Sequence, residues 1–188
     1  ACPKARSWGI YRGMQERSAR KKCRGAVFRL FEPADFWGLN EALLQLLESF
    51  SPKVEINSLG IAYLELNRYS DPEQIWKLAC RIHQSIETCF NIPLRIGIAE
   101  NKLVARLAVQ YQPKPSTHKY VFRMKNGLCM VTPENSQHFV KDFKISQLPL
   151  EESIQKRLRI LGLNQLRQIH KIAKSKLVQQ FGDIPMPL

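Results

Sequence analysis

Residues 54–65 read Val54-Glu55-Ile56-Asn57-Ser58-Leu59-Gly60-Ile61-Ala62-Tyr63-Leu64-Glu65. Val54, Ile56, Ile61, Tyr63 and their neighbours predict two short strands about a turn at Ser58-Leu59-Gly60. Helical segments are read on each side of the pair. Before the pair, residues 35–50 place Phe36, Leu39, Leu43, Leu46, Leu47 and Phe50 at helical spacing, and Pro52 stops that helix. After it, Asp71-Pro72-Glu73 is a helix start: a capping Asp, a Pro in the first turn, and an acid near the positive end of the dipole. That helix runs to about Phe90, presents Ile75, Leu78, Ala79, Ile82, Ile86 and Phe90, and is ended by Pro93.

Farther out, Leu94–Ala99 predicts another strand and residues 101–110 a helix. A polar loop from Gln112 to His118 leads to a strand pair turning at Asn126-Gly127. Towards the start, residues 14–24 predict a helix dominated by Arg17, Arg20, Lys21, Lys22 and Arg24, a solvated or phosphate-facing surface. Residues 26–31 follow as a short extended apolar run. From about residue 133 short helices succeed one another, linked by Leu148-Pro149, Gly162 and Ser175. The first, 151–161, is expected to bury Ile154, Leu158 and Leu161, with Gly162 left-handed at its end. Leu163, Leu166 and Ile169 start a second, and Leu177 and Phe181 belong to a third. The expected architecture is an α+β domain followed by a small basic helical domain.

The net charge is +13, and its distribution says more than its sum. Residues 1–29 hold nine Lys/Arg and one acid, residues 30–90 four and nine, and residues 141–180 nine and three. Two basic ends around an acidic-leaning centre suit a polyanion, because each phosphate neutralised releases counterions. No stretch of 18 apolar residues occurs, and no segment opposes a basic face to a bulky apolar one, so no membrane association is expected. Five cysteines without C-x-x-C spacing indicate reduced thiols rather than a disulfide or zinc framework, with Cys80 and Cys89 as core fillers. His83, His118, His138 and His170 have no metal-ligand spacing. Trp37 and Trp76 sit among helical apolar positions and are expected in the core. Trp8, in the basic first segment, is the better candidate for stacking on a base. Tyr111 stays open between the two roles.

The 54–65 stretch resembles the central palm motif of Y-family (translesion, UmuC/DinB-like) DNA polymerases, usually V-E-x-x-S-I-D-E-A-F/Y-L-D. Three further blocks resemble the family in its order: Ala5-Arg6-x-x-Gly9-x-x-x-Gly13-Met14 in the fingers, Ile96-Gly97-Ile98-Ala99-Glu100-Asn101-Lys102 to Ala108 in the palm, and Leu158-x-x-Leu161-Gly162-Leu163 with Gln180-Phe181-Gly182 in the thumb. The resemblance implies fingers over 1–32, a palm over 33–131 with an antiparallel or mixed sheet and helices on one face, and a helix-hairpin-helix-like thumb over 132–188. It also implies that the first palm strand, with the first metal-binding Asp, would lie before Ala1 and the DNA-gripping little finger after Leu188.

Polymerase chemistry needs two divalent cations held by carboxylates. The motif's adjacent Asp-Glu pair falls at Gly60 and Ile61, which offer no side-chain oxygen. Glu65 keeps a carboxylate at the motif's later Asp position. No metal site and no cofactor are therefore expected. The implied nucleotide- or phosphate-binding candidates are Arg6, Lys102, Arg106 and Lys114, the last displaced by one residue in the family's Lys-Pro element. In the thumb, the turn that usually offers bare backbone N–H groups to a DNA phosphate becomes Leu150-Glu151-Glu152, whose acids repel it. Lys156, Arg157, Arg159, Arg167, Lys171 and Lys174 are the compensating DNA-binding candidates; each is equally readable as a solvated helix charge.

Kept scaffold with lost carboxylates is similar to the ImuB-like, catalytically degenerate branch. That resemblance implies a cytoplasmic, nucleoid-associated bacterial protein of damage-induced (SOS) mutagenesis and DNA repair. It would bind primer-template or damaged DNA and join a replication clamp to a separate error-prone polymerase. Two alternatives stay open. One is an active translesion nucleotidyltransferase with relocated ligands, binding Mg²⁺ or Mn²⁺ through Glu65 and an upstream Asp. The other is an unrelated α+β nucleic-acid module.

Overall fold

The computed structural model describes residues 2–11, 13–30, 32–58, 60–66, 71–111, 120–141 and 143–181, with backbone alone at Pro3, Pro33, Asp35 and Lys174. Two compact units result, residues 1–39 and 40–188.

In the first unit, α1 (Pro3–Ser7) is capped by the Cys2 thiol, which accepts from the Ala5 N–H at 3.4 Å. Gly9 and Gly13 then take left-handed backbone (φ +72° and +85°) and turn the chain towards α2 (Glu16–Lys22). Residues 26–30 form neither helix nor paired strand, and Phe31, the last residue of the expected apolar run, lies outside the described residues. A 3₁₀ turn at Pro33–Phe36 leads into α3 (Trp37–Glu48). Trp37 is 71% exposed, so the expectation that it packs in the core is corrected: helical spacing gives a residue's face but not what covers that face.

The second unit begins within α3, at Asn40, and continues into the hairpin the sequence predicts. Strands β1 (Val54–Ser58) and β2 (Ile61–Leu64) pair antiparallel, Val54 opposite Leu64 and Glu55 opposite Tyr63, with a register shift between Ile56 and Ser58. Gly60 stands in the turn at φ +76°. Beneath the hairpin lies α4 (Pro72–Phe90), whose Asp71 cap accepts from the Glu73 N–H at 3.1 Å. Asn91, left-handed at φ 50°, ends this helix two residues before Pro93. Leu78, Ile82 and Ile86 of α4 pack with Leu47 of α3 against Val54, Ala62 and Leu64. Each fully covered aliphatic side chain contributes about 1.5–3 kcal/mol.

A second sheet of order β3-β5-β4 is built from β3 (Ile96–Ile98), β4 (Arg123–Lys125) and β5 (Leu128–Met130). The β3–β5 pair is parallel and β4–β5 antiparallel. Asn126 (φ 49°) and Gly127 (φ 82°) make the tight turn between β4 and β5 that an Asn-Gly pair favours. Helix α5 (Lys102–Gln110) starts at Asn101, whose side chain accepts from the Val104 N–H at 2.9 Å. It lies so close to β3 that a Cβ on Gly97 would stand 1.9 Å from the Ala105 carbonyl oxygen.

The expectation of helices on one face of the sheet is corrected here. Trp76 and Ala79 of α4 cover Leu128, Met130, Ile96 and Ile98 on one face of the three-stranded sheet. Val104, Leu107 and Ala108 of α5 cover Cys129 and Val131 on the other, together with Phe139 of α6 (Pro133–Val140). The reason is local: Leu128-Cys129-Met130-Val131 is apolar at every position, so both faces of β5 demand cover.

The same core runs on without a break through Phe143, Ile145, Leu148, Leu158, Leu166, Ile169 and Leu177. These residues belong to a 3₁₀ turn at Ile145–Gln147 and to α7 (Glu152–Ile160), α8 (Leu166–Ile169) and α9 (Lys174–Phe181), or to the links between them. Gly162 (φ +74°) closes α7 as expected. Its N–H donates to the Arg159 carbonyl and the Leu163 N–H to the Leu158 carbonyl, both at 2.9 Å, the paired C-terminal pattern that a left-handed glycine permits. Leu158 is fully buried, but Leu161 is 53% exposed, against the expectation for it. Leu161 is already the cap residue (ψ 8°), and the chain reversal delivers Leu163 to the core in its place. Cys80 and Cys89 are also exposed rather than core fillers, and Cys129 is the buried thiol.

Candidate functional site

The hairpin end holds the positions where the palm motif has its carboxylates. Gly60 has open space on its Cβ side, with nothing within 4 Å of an added Cβ, but its positive φ is one that L side chains adopt at a cost. Ile61 is half-buried opposite Ser58. The two carboxylates nearest in sequence are each met by a lysine. Glu55 is ion-paired with Lys102, whose ammonium also lies 5.6 Å from the centre of the Tyr63 ring. Glu65 accepts from Lys53 at 3.1 Å, and its backbone is tied down as well, its carbonyl accepting from the Ser51 hydroxyl at 2.7 Å. Among the described residues no group of three or more His, Cys, Asp or Glu side chains is arranged to hold a cation.

Lys102 therefore stands at the hairpin, engaged by Glu55. Arg106 is half-buried one turn further along α5, on the same side of the helix as Lys102. Arg6 is exposed at the last turn of α1 in the other unit, and Lys114 lies outside the described residues. In that first unit α2 presents a shallow concavity of about 480 Å³ lined by Glu16, Arg17, Arg20, Lys21 and Arg24. Arg20 is neutralised there by Glu16 at 2.6 Å and lies over the Phe28 ring, 4.2 Å from its centre. Trp8, the stacking candidate, is 59% exposed.

The cations of the C-terminal helices separate into groups. Arg157 is engaged internally: it donates to the Gln180 carbonyl at 2.8 Å and stacks over Phe181 at 5.1 Å, fastening α7 to α9. Lys156 and Lys171 are exposed, and the Lys174 side chain lies outside the described residues. Arg159 and Arg167 come together in a notch of about 460 Å³, joined by Lys144, Ser146, Asn164, Gln165 and Gln168. Sequence reasoning missed Lys144. The signal was present, since Lys144 alternates outward between buried Phe143 and Ile145.

A side chain that no motif singles out holds the sheet to α4. Arg123 of β4 makes a two-pronged ion pair with Glu73, one prong at 2.9 Å, and lies 5.3 Å from the centre of the Trp76 ring. Trp76 is buried, as expected of it. His83 pairs with Glu87 at 3.3 Å, and His138 stacks on Tyr120 with centroids 5.3 Å apart. Tyr111 is buried against Phe139 at 5.2 Å, which settles it as a packing residue.

Residues 1–110 match the impB/mucB/samB family. Among individual proteins, the chain is 31% identical over 180 residues to DNA polymerase IV of Dehalococcoides mccartyi, covering 95% of this chain and 43% of that one. It is 27% identical over 181 residues to DNA polymerase IV of Sulfurisphaera tokodaii, covering 95% and 48%. The chain thus spans about half the length of the curated relatives it matches. Among solved structures, it superposes on DinB from Sulfolobus solfataricus with a TM-score of 0.74 at 25% identity, covering 96% of this chain and 50% of that one. An insertion ternary complex of Dbh DNA polymerase gives a TM-score of 0.77 at 25% identity, with 96% and 50% covered.

Proposed function

The chain belongs to the impB/mucB/samB family, the Y-family DNA polymerases and their relatives, and from that premise we propose that it is a non-catalytic DNA-binding scaffold of translesion synthesis. In this reading residues 1–32 serve as fingers, 33–131 as palm and 132–188 as thumb. The whole protein would act in the damage-induced, ImuB-like manner, bringing a clamp and a separate error-prone polymerase to damaged DNA.

One observation supports this reading above the rest. The hairpin that should present two adjacent carboxylates presents Gly60 and Ile61, and the flanking Glu55 and Glu65 are each neutralised by a lysine. A hard divalent cation needs several oxygen ligands in fixed geometry. Recruiting Glu65 would mean releasing Lys53, and recruiting Glu55 would mean releasing Lys102. Each release gives up only about 0–1 kcal/mol at this exposure, so the missing ligand count, more than the ion pairs, weighs against a cation here.

A second reading is favoured by the relatives' shared name, DNA polymerase IV. It is an active error-prone polymerase whose Mg²⁺ or Mn²⁺ is held by Glu65 and an Asp outside this chain. Metal-dependent primer extension by the full-length protein, run beside an otherwise identical Glu65→Gln variant, separates the two. No extension in either metal supports the scaffold. Templated extension abolished by Glu65→Gln would establish the relocated site and end the scaffold reading.

A further inference from the structure

Helix α7 has opposite charge at its two ends. Glu151 and Glu152 stand at its start, both exposed, and Arg157 and Arg159 in its last turn. A nine-residue helix separates those ends by about 13 Å. Since Arg157 is engaged by α9, Arg159 is the cation left facing outward beyond the acids. The chain reversal at Gly162 then brings the start of α8 back beside it, and a bridge between Lys144 and Gln165 draws the 3₁₀ turn to the same place. Three cations from three separate elements, Lys144, Arg159 and Arg167, thereby line one notch.

Among the described residues no acid lines the notch beside these cations. Among the described residues none of the three makes an ion pair. Their supporting shell is already satisfied. The Gln168 side-chain oxygen accepts from the Asn164 and Gln165 N–H groups at 2.8 and 2.9 Å, and the Lys144 N–H donates to the Gln147 side chain at 2.9 Å. These backbone donors are therefore committed to building the walls. Arg159 Nε donates to the Gln155 carbonyl at 3.4 Å, so its terminal guanidinium nitrogens, with Lys144, Arg167 and the Ser146 hydroxyl, remain to meet a ligand. Guanidinium groups suit phosphate oxygens because their paired N–H donors match them in geometry.

We infer that the notch formed by Lys144, Arg159 and Arg167 is a phosphate-binding site, placed at the opposite end of α7 from the acidic Leu150-Glu151-Glu152 turn. The source of the phosphate, a nucleic-acid backbone, rests on the DNA-binding reading above; the site itself does not.

Two measurements test it on the chain as it stands. Duplex binding is followed by fluorescence anisotropy over a salt series for the unaltered chain and for a triple variant, Lys144→Ala with Arg159→Ala and Arg167→Ala. Inorganic phosphate is titrated in parallel while the notch amide resonances are recorded. The expected result is about tenfold weaker duplex binding in the triple variant, a salt slope reduced by about one to two, and phosphate-dependent shifts at the notch. A charge-keeping variant, Lys144→Arg with Arg159→Lys and Arg167→Lys, should retain most of the affinity, which a folding defect would not allow. Phosphate shifts without an effect on duplex binding, or without any duplex binding at all, would support the notch as a free-phosphate site; in the latter case the DNA-binding reading fails alone. Unchanged duplex binding in the triple variant together with no phosphate shift would overturn the notch and leave the DNA-binding reading standing.

Discussion

The β1–β2 hairpin and the α7–α8 notch handle charge in opposite ways. At the hairpin every exposed acid named above has a lysine partner: Glu55 with Lys102 and Glu65 with Lys53. At the notch three cations share a concavity that no acid lines among the described residues. A paired surface offers little to an incoming phosphate, because its counterions have already been supplied internally. An unpaired basic concavity gains the full counterion release. The hairpin pairs its exposed carboxylates internally, and the notch gathers its positive charge from three separate elements. The lesson is that lysine and arginine counts do not locate a nucleic-acid surface until their partners are known.

Truncating a core side chain of α7 is the most severe way to break this contrast. Leu158 is fully buried, and Leu158→Ala should cost about 3 kcal/mol of stability, read from chemical denaturation. At the notch, Arg167→Ala alone should weaken duplex binding about fivefold and lower the salt slope by about one. At the hairpin, Gly60→Asp should cost about 1–2 kcal/mol, because its positive φ disfavours a side chain although space is open around it. On the same side, Glu55→Gln combined with Lys102→Met removes a neutral pair and should leave duplex affinity within about twofold. A loss comparable to that of Arg167→Ala would mean that the paired lysine meets phosphate after all. The smallest effect concerns thiols. Burial pushes the Cys129 thiol up to about 11, so at pH 8 an alkylating reagent should modify exposed Cys80 and Cys89 and leave Cys129 unmodified until the protein unfolds, as mass spectrometry would show.

Local features were legible in the sequence because a few neighbouring residues determine them. Asp71-Pro72-Glu73 starts α4, Asn126-Gly127 turns β4 into β5, and Gly162 reverses the chain after α7. Burial was less legible. Trp37, Cys80, Cys89 and Leu161 all stand at apolar or helical positions, yet each is exposed, since periodicity does not say which face finds a partner. Cover on both faces of the β3-β5-β4 sheet was present in the unbroken apolar run 128–131, but the single-faced expectation overrode it. At the candidate site, the motif alone showed that Gly60 and Ile61 carry no side-chain oxygen. The pairing of Lys102 with Glu55 joins residues 47 positions apart, and the notch joins residues 144, 159 and 167, so neither could be read from spacing.

The most direct measurement is binding of a primer-template by fluorescence anisotropy over a salt series, with Mg²⁺ and the templated nucleotide present or absent. Salt-sensitive binding with the same affinity in all four combinations is the expected result, because phosphate contacts carry it and no cation site contributes. Binding tightened by Mg²⁺ and the templated nucleotide together would show a working ternary site and contradict the proposed scaffold reading.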